Sequence, residues 1–419
     1  MPALADPAGG DGAGRTARRH TGRPARRDRE GRTLSAPKLR HSSPERAGLD
    51  PAGLRRLAGH VRALTTGDDP WTAGAVVIAG RGPVIALEEA SGWAVRCAGW
   101  DERTGTAVEL PPAERVPATV DTPFDLASVT KLFTSVAAVQ QLERGTLGID
   151  ARVGAYLPDF TGAGRHGITV RQLLTHTSGL RPELPLYDCA DDAERLDMLR
   201  AEEPVTAPGT YCYSDLNMLL LQQVLQRITG RALDTLVHDG ITRPLGMTST
   251  GFGPCPGAAA TEDQRTPWAK ADRGMLRGEV HDENAWALGG VAGHAGLFST
   301  ARDLAVFCRA LLAGGAYGPA RILGPDYVDL LFAPPGLGFA LDQPWFMGEL
   351  AGRGAAGHCG FTGTCLILDR ATDTFLVLLA NTVHPRRRRA DNAPRATAAT
   401  LLARSILPGR GRGAGGGVS

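Results

Sequence analysis

The sequence predicts an α/β protein of the α+β type, with an antiparallel sheet built from N- and C-terminal segments, flanked by helices, and an inserted lobe that is mainly helical. Three observations lead to this prediction. Strand-like apolar runs lie near both ends of the chain, helical patterns fill its middle, and its 419 residues exceed what one hydrophobic core usually organises. A cleft between the two lobes is the expected place for a ligand.

The first elements of the folded region are predicted to be a helix and two strands. Asp50 and Pro51 have the character of an N-cap and a first helical residue, and apolar residues then recur on one helical face. The apolar runs 74–80 and 83–88 are joined at Arg81-Gly82, which predicts two connected strands. A loop is expected from there to about residue 123.

The middle of the chain has the apolar periodicity of helices. The predicted helices cover residues 130–144, 169–176, 215–229 and 302–313. Near the C-terminus the pattern returns to strand, because two apolar runs are separated by only four residues. This pattern predicts a hairpin of 363–369 and 374–380, followed by a final helix over 391–406.

Charge and composition set the predicted domain boundaries. Residues 1–45 carry ten basic and five acidic side chains and almost no large apolar residues, whereas the whole chain has a net charge of +2. We expect 1–45 to be a disordered, solvated basic tail, and we expect no nucleic-acid partner. The predicted folded domain spans 46–407. It divides into an α/β lobe (about 46–125 and 300–407) and a helical lobe (about 126–299), and residues 408–419 form a flexible Gly/Arg tail.

No targeting or membrane segment is evident in the sequence. Residues 1–45 lack the uninterrupted apolar run of a secretion signal, and no stretch approaches the length of a membrane helix, so a cytoplasmic location is expected. The seven cysteines are odd in number and include no Cys-x-x-Cys pair. We therefore expect reduced thiols rather than a disulfide framework or a standard zinc site.

The strongest candidates for chemistry are Ser128 and Lys131, at the start of a predicted apolar helix. Their spacing of three residues places both side chains on one face, and the helix N-terminus favours negative charge on the serine oxygen. A serine needs a base beside it to act as a nucleophile, and a lysine is a base only when its pKa is depressed. A second copy of the spacing, Ser35 with Lys38, is rejected because Pro37 discourages a helix.

Two further segments carry candidate site residues. Tyr213 follows the turn-forming pair Pro208-Gly209, so a loop would present its phenol, which would pass a proton between the serine and the leaving group. Residues 357–364 lead into the first C-terminal strand. An edge strand beside a cleft can pair with an extended substrate and offer backbone amides to an oxyanion. His358 would line that site and contribute a hydrogen bond.

Together these motifs resemble those of the serine β-lactamase and penicillin-binding protein family. The likeness rests on Ser128-x-x-Lys131, Tyr213-Ser214-Asp215 and His358-Cys359-Gly360, which occur in this order. It is closest to the class C branch, which includes esterases and D-amino-acid peptidases. Residues 173–180 and 289–300 resemble scaffold and cleft-wall segments of that family, and the resemblance covers roughly residues 46–406.

The resemblance implies a β-lactamase/transpeptidase-like fold and an acyl-enzyme mechanism. Ser128 would be the acylated nucleophile, and Lys131 and Tyr213 would be the coupled base and acid. The backbone amides of Ser128 and Phe361, with Gly360 beside them, would form the oxyanion hole. Neither a metal nor an organic cofactor is expected. The expected partner is a small ester, amide or short peptide substrate, and the sequence leaves the oligomeric state open.

Two residues depart from the family's frequent pattern. Asp215 stands where an asparagine is frequent; an ionised aspartate cannot donate to a substrate carbonyl, and would instead pair with Lys131 or another cation, or accept from a substrate N–H. His358 stands where a lysine is frequent, and a histidine is only partly charged near neutral pH. Both departures favour an esterase or a D-amino-acid peptidase or carboxypeptidase, with a β-lactamase as the alternative.

Three other classes of function compete with this reading. A catalytically inactive binding protein of the same fold is favoured only if a motif residue is missing, and none is. A metallohydrolase would use residues 281–283 and His294, but their spacings match no standard site. A nucleotide-binding protein would use Gly411, Gly413 and Gly416, which are not followed by a helix.

Overall fold

The computed structural model describes residues 36–388 and 391–408. Most of the two predicted tails lies outside the described residues. So do Ser35 of the rejected copy and the glycine spacing near the C-terminus. The described residues begin ten residues before the predicted start of the folded domain at Arg46. In this additional segment, Arg40–His41 pairs with Val84–Ile85 as a short parallel strand.

Eight of the seventeen strands in the described residues form one large sheet. In chain order they are β1 (Arg40–His41), β2 (Gly74–Arg81), β3 (Val84–Val95), β4 (Cys97–Asp101), β5 (Thr106–Glu109), β6 (Val116–Pro117), β7 (Phe124–Asp125), β8 (Gly251–Phe252), β9 (Ala260–Gln264), β10 (Gly274–Arg277), β11 (Leu297–Ser299), β12 (Ala316–Tyr317), β13 (Ala320–Arg321), β14 (Ala340–Leu341), β15 (Ala355–Cys359), β16 (Cys365–Asp369) and β17 (Thr374–Ala380). The large sheet has the order β1-β3-β2-β17-β16-β15-β14, with β6 added to β3. Its pairs are antiparallel except for β1 with β3, so the predicted sheet of both chain ends is confirmed.

Along the chain, most of the helices come after β6 and before β14, and so between the N-terminal and the C-terminal strands of the large sheet. They are α1 (Pro51–Ala63), α2 (Thr130–Glu143), α3 (Thr161–Arg165), α4 (Val170–Leu174), α5 (Asp192–Ala201), α6 (Asp215–Thr229), α7 (Leu233–Val237), α8 (Arg243–Leu245), α9 (Glu283–Ala287), α10 (Ala301–Leu312), α11 (Pro325–Phe332), α12 (Pro344–Met347) and α13 (Ala393–Ser405). As predicted, Asp50 caps α1, and its carboxylate accepts from the N–H groups of Ala52 and Gly53. Within the described residues, none of these helices has the length and apolar character needed to cross a bilayer.

The predicted loop before residue 123 is largely strand. β3 continues to Val95, and β4, β5 and β6 follow it. The acidic residues of β3 hide it from a reading of apolar periodicity, but they are paired in the fold. Glu89, the first residue beyond the predicted strand, accepts from Arg62 of α1 at 2.9 Å, and Glu88 before it accepts from Arg302 at 2.6 Å. The charges therefore hold this strand against its neighbours instead of marking a loop.

The sheet separates two clusters of buried apolar side chains, because successive strand residues face opposite sides. On β2, Val77 and Ala79 face a cluster with α1 and α13, whereas Val76 and Ile78 face the larger cluster. That larger cluster continues through α2, α6 and α10. The larger cluster therefore extends through both the α/β lobe and the helical lobe that the sequence predicts.

Helix α2 lies in the middle of the larger core and is buried on nearly every side. Its buried residues are apolar over much of the surface, but Lys131, Thr134 and Gln140 are buried as well and donate hydrogen bonds to oxygens of other segments. Phe133 of α2 stacks on Phe307 of α10, with ring centroids 4.4 Å apart, and both rings are completely enclosed. This stack ties α2, which begins two residues after Ser128, to a helix that packs on the sheet.

We expect Phe307→Ala to lower the free energy of unfolding by about 3–5 kcal/mol, because it leaves a cavity beside Phe133 that the close-packed core cannot fill. Phe307→Leu keeps most of the volume and should cost less than about 1.5 kcal/mol. Urea unfolding followed by circular dichroism measures both. Val108→Ala on the exposed face of β5 is the control and should change stability by less than about 0.5 kcal/mol. Equal effects at residues 307 and 108 would contradict this account of the core.

Candidate active site

The candidate nucleophile lies on a tight turn that neighbouring segments hold in place. Ser128 is in a short 3₁₀ turn directly before α2, and Ala127 has φ 45°, a left-handed conformation that is unfavourable for a residue other than glycine. The Asp125 carboxylate accepts from the N–H of Ala127 at 2.8 Å and of His281 at 2.6 Å. The backbone oxygen of Asp125 accepts from the Thr362 hydroxyl at 2.7 Å. The turn is strained, but these contacts fix its conformation.

Lys131 connects Ser128 to the second motif. Its Nζ donates to Ser128 Oγ at 2.8 Å and lies 2.8 Å from Asp215 Oδ1. A third oxygen, the backbone carbonyl of His294, accepts from Nζ at 3.4 Å. The side chain of Lys131 is 0% exposed. Three residues predicted from the sequence are thus in direct contact, and Asp215 makes one of the pairings considered for it.

The charge state of Lys131 differs from the expectation for a lysine base. Burial alone would lower its pKa, but the nearby Asp215 carboxylate and the Tyr213 phenol together raise the pKa of Lys131 above its usual value. Burial would raise the pKa of Asp215, but the charges of Lys131 and His294 together hold it below its usual value. Lys131 is therefore an ammonium group in the resting protein, because an aspartate occupies the position where an asparagine is frequent.

The phenol of Tyr213 lies on the other side of the same ammonium group. Its ring centroid is 4.8 Å from Lys131 Nζ, and its hydroxyl interacts with both Lys131 and Ser128. Burial raises the pKa of Tyr213, and the ammonium opposes this rise without cancelling it. Both groups predicted to move protons are therefore protonated at rest.

His176 holds the Tyr213 loop, a role that sequence reasoning missed. Its backbone oxygen accepts from the N–H of Cys212 at 2.8 Å, and its Nδ1 accepts from the N–H of Ser214 at 3.2 Å. These two residues flank Tyr213, whose ring centroid is 4.7 Å from that of His176. Burial and the Lys131 charge lower the pKa of His176 to about 3, so it stays neutral and keeps Nδ1 as an acceptor. The sequence feature that could have identified His176 is its place in the segment 173–180, which was interpreted only as a scaffold or cleft-wall segment.

The third motif lies at the end of β15, beside the Ser128 turn. His358 Nδ1 donates to the Cys359 carbonyl at 2.7 Å, and burial and Lys131 lower the pKa of His358 to about 4. The His358 ring, 6.0 Å from that of Tyr213, is therefore neutral and cannot replace the fixed charge of a lysine. A Cβ on Gly360 would lie 2.4 Å from the Leu126 carbonyl oxygen, so only glycine permits this close approach.

The predicted oxyanion donors are free to bind an oxygen. No hydrogen bond among the described residues uses the amide N–H of Ser128 or Phe361. The Phe361 side chain, 54% exposed, stacks on His281 with ring centroids 5.5 Å apart and lies 5.8 Å below the Arg387 guanidinium. Glu262 binds both supports, His281 at 2.9 Å and Arg387 at 2.8 Å. A buried ion cluster therefore supports the loop that carries the second amide.

Two cavities meet at Tyr213. The first, about 510 Å³, is lined by Ser128, Phe361 and Arg395 among others. The second, about 490 Å³, is lined by His176 and His358. A substrate with its reacting carbonyl at Ser128 has room for a group on either side.

Arg395, in the first turn of α13, is an unusual feature of the first cavity. It is 6% exposed, donates to the Gly360 carbonyl at 2.9 Å, contacts the Asn392 side chain and has an Nε without a partner. Among the described residues, no carboxylate lies within ion-pairing distance of its guanidinium. Sequence reasoning did not select Arg395, because the pattern of α13 shows neither the cavity nor the missing counter-charge.

The residues of the metallohydrolase alternative are satisfied by protein partners. Within the described residues, Asp215, Asp282 and His294 form a cluster whose ligand atoms lie within 4.8 Å of one another. Asp215 already binds the Lys131 ammonium, and Asp282 binds His294 Nε2 at 2.9 Å. His281 and Glu283 instead join the cluster around Arg387. A metal ion in this cluster would lie close to a permanent positive charge, which disfavours it.

Comparisons with known proteins agree with the geometry. A family model named Beta-lactamase matches residues 65–401. A protein of Escherichia coli K12 with the provisional name D-alanyl-D-alanine carboxypeptidase is 32% identical over 389 residues, which cover 83% of this chain and 86% of that protein.

Solved structures share the fold at low sequence identity. A penicillin-binding protein homologue from Caulobacter crescentus has a TM-score of 0.64 at 22% identity, over 86% of this chain and 99% of that one. A class C β-lactamase from Rhodobacter sphaeroides has a TM-score of 0.62 at 23% identity, over 85% and 99%. The architecture around Ser128 is therefore a recurring one.

We expect Glu262→Gln to lower the free energy of unfolding by about 3 kcal/mol at pH 7. Although burial would raise it, His281 and Arg387 lower the pKa of Glu262 from 4.5 to about 2, and each pKa unit is worth about 1.4 kcal/mol. Because this folded-state pKa is depressed, the stabilisation is fully present above the unfolded value of 4.5. It is lost as the pH falls toward 2.

Urea unfolding between pH 3 and pH 8 checks this expectation. The difference between wild type and Glu262→Gln should be constant above about pH 5.5 and shrink toward pH 3. Glu114→Gln, at an exposed residue, is the control and should show no such trend. A difference independent of pH would mean that the Glu262 charge does not stabilise the fold.

Proposed function

The chain belongs to the beta-lactamase family and is a serine hydrolase that acts through an acyl-enzyme, and we propose that Ser128 is the residue acylated. The observation that carries this proposal is the 2.8 Å contact between Ser128 Oγ and Lys131 Nζ, with the Tyr213 hydroxyl beside both. A nucleophile, a proton-transfer pair and two unused amide donors within one cleft are what acyl transfer requires.

The proposed reaction has two steps that use the same groups. Ser128 Oγ attacks the ester or amide carbonyl and its proton passes to the Lys131–Tyr213 pair, while the amides of Ser128 and Phe361 bind the oxyanion. The pair then protonates the leaving alcohol or amine as the carbonyl–heteroatom bond breaks. In the second step a water attacks the acyl-enzyme, loses its proton to the same pair, and Ser128 leaves with that proton restored.

The protonated resting state determines the direction of the pH dependence. Lys131 and Tyr213 have raised pKa values, and one proton must leave the pair before it can accept the Ser128 proton. The reactive fraction therefore grows as the pH rises. The neutral His176 and His358 do not change charge above about pH 5, so they do not limit activity there.

Within this activity we favour a peptide substrate that ends in a free carboxylate, so that the protein is a carboxypeptidase for D-amino-acid peptides. Arg395 supports this choice, because it is a buried cation in the cavity beside Ser128 without a carboxylate partner among the described residues. A substrate carboxylate would supply that partner. The neutral His358 does not provide such a charge, and the E. coli relative carries a carboxypeptidase name. Esters are the second substrate class, since the same carbonyl chemistry applies to them.

We propose a cytoplasmic protein, which is supported by seven cysteines that are all free in the structure. A short peptide, amide or ester is the proposed partner.

We expect a fluorophosphonate probe to label Ser128, as located by peptide mass spectrometry. Ser128→Ala should abolish labelling and lower turnover by about 10³-fold or more in a protein that circular dichroism shows to be folded. Lys131→Ala should be nearly as severe, and Tyr213→Phe should cost about 10²-fold because one proton-transfer group is lost.

Ser135→Ala is the matched control for Ser128→Ala. It makes the same change at a buried α2 residue that lines neither of the two cavities, and should keep both labelling and turnover. A Ser128→Ala variant with most of the wild-type rate would remove the proposed nucleophile. Folded wild-type protein that takes no label would instead favour a catalytically inactive binding protein.

We expect Arg395→Gln to lower kcat/KM by about 10- to 100-fold for an N-acylated D-Ala-D-Ala peptide, because the hydrogen-bonded charge pair is lost. For the C-terminal amide of the same peptide the change should be less than about threefold. Arg388 lines the same cavity but is already paired with Asp69, so Arg388→Gln is the control. Equal losses on both peptides would show that Arg395 supports the Gly360 loop and does not bind the substrate carboxylate.

A further inference from the structure

The pair formed by Asp282 and His294 lies directly behind the Lys131–Asp215 pair and takes no part in the proposed steps. His294 is 1% exposed, and its Nε2 is 2.9 Å from Asp282 Oδ1. The Asp282 carboxylate also accepts from the N–H of Ala285 at 2.8 Å and so caps α9. This pair is therefore fixed both by burial and by a helix end.

His294 adjoins both charged groups of the site. Its backbone carbonyl accepts from Lys131 Nζ at 3.4 Å, and its ring lies within 4.8 Å of an Asp215 carboxylate oxygen. Among the described residues, His294 Nδ1 has no hydrogen-bond partner, whereas Asp215 Oδ1 lies 2.8 Å from Lys131 Nζ. The Asp215 carboxylate is thus close to both the Lys131 ammonium and the His294 ring.

The charges of these neighbouring groups alternate in sign. Asp282 and Asp215 together raise the pKa of His294 above its usual value, although burial and Lys131 oppose them. Burial would raise the pKa of Asp282, but His294 and then Lys131 hold it well below its usual range. At a pH below the raised pKa of His294, the charges of Lys131, Asp215, His294 and Asp282 are positive, negative, positive and negative, and they sum to zero.

We propose that His294, oriented and charged by Asp282, is a positioning residue that shares the Asp215 carboxylate with Lys131 and so controls how readily Lys131 releases a proton. This inference rests on the proposed function, because it concerns the proton-transfer pair of that reaction. Asp215 adds a negative charge beside Lys131, which makes an ammonium a worse base. A second cation on Asp215 offsets part of that effect.

The sign of the effect follows from Coulomb's law. Loss of the His294 charge removes a cation near Lys131 and leaves Asp282 as an unpaired anion, and both changes favour the ammonium form. The other groups that face Lys131 are Asp215, Tyr213, His176 and His358, and the substitution leaves them in place. Neutralising Asp282 as well would restore the charge balance.

The test is the rate of Ser128 labelling by a fluorophosphonate between pH 6 and pH 10 in full-length protein. His294→Gln keeps a donor at the Nε2 position and should slow labelling about tenfold at a fixed pH, which corresponds to one pKa unit. The double variant His294→Gln/Asp282→Asn keeps the α9 cap and should recover most of the wild-type rate. Asp215→Asn should shift the pH dependence in the opposite direction, toward lower pH.

The double variant separates charge from structure. A merely structural role predicts that the second substitution adds to the damage, whereas charge balance predicts recovery. His384→Gln is the control, because His384 is also a buried histidine but accepts from the N–H groups of Arg96 and Cys97 and is not among the groups that face Lys131. This variant is expected to leave the pH midpoint of labelling unchanged. An additive loss in the double variant, or an unchanged rate in His294→Gln, overturns the proposal.

Wild-type labelling distinguishes failure of this inference from failure of the proposed function. If the wild type takes no label, both the proposed function and the role of His294 are contradicted. If the wild type is labelled and His294→Gln has the wild-type rate, only the role of His294 is contradicted. Should His294→Gln not fold, side-chain ¹⁵N NMR of the wild type decides. One of the ten histidines should titrate above the usual histidine pKa of about 6.5, and its absence overturns the proposal.

Discussion

A positive charge enclosed on all sides constrains the whole site. The Lys131 side chain has no exposed surface, yet the Asp215 carboxylate keeps it an ammonium. A buried charge is tolerated only with close partners of opposite sign and complete hydrogen bonding. Ser128 Oγ, Asp215 and the His294 carbonyl supply those partners at 2.8, 2.8 and 3.4 Å. The nucleophile is thus also one of the groups that make the buried charge possible.

The same constraint explains why distant segments converge on α2. Ser128 and Lys131 lie at its start, and the core around α2 gives the helix no freedom to move. Asp125 links the Ser128 turn to the 281 and 362 regions through three hydrogen bonds. His176 fixes the loop that carries Tyr213. Each reacting group is therefore held by a neighbour that does not react.

The proposed choice of substrate rests on a different part of the molecule. The third motif carries a neutral histidine, and the buried cation in the cavity that Ser128 lines, Arg395, comes from α13. Gly360 joins the two regions, because its carbonyl accepts from Arg395 while its missing side chain lets β15 approach the Ser128 turn. The sheet that joins both chain ends brings these elements together.

The sequence by itself determined the fold class, the longer helices, the pairing of the chain ends and the set Ser128, Lys131, Tyr213, Asp215 and His358, because periodicity and motif spacing are local properties. It predicted a loop where β3 continues, since paired acidic residues look like exposed ones. It missed Arg395, and it considered His294 only as a metal ligand and His176 only as part of a scaffold segment. Only the tertiary structure decided the charge of Lys131 and the roles open to those three residues, because a pKa and an unpaired cation depend on what lies nearby in space, far along the chain.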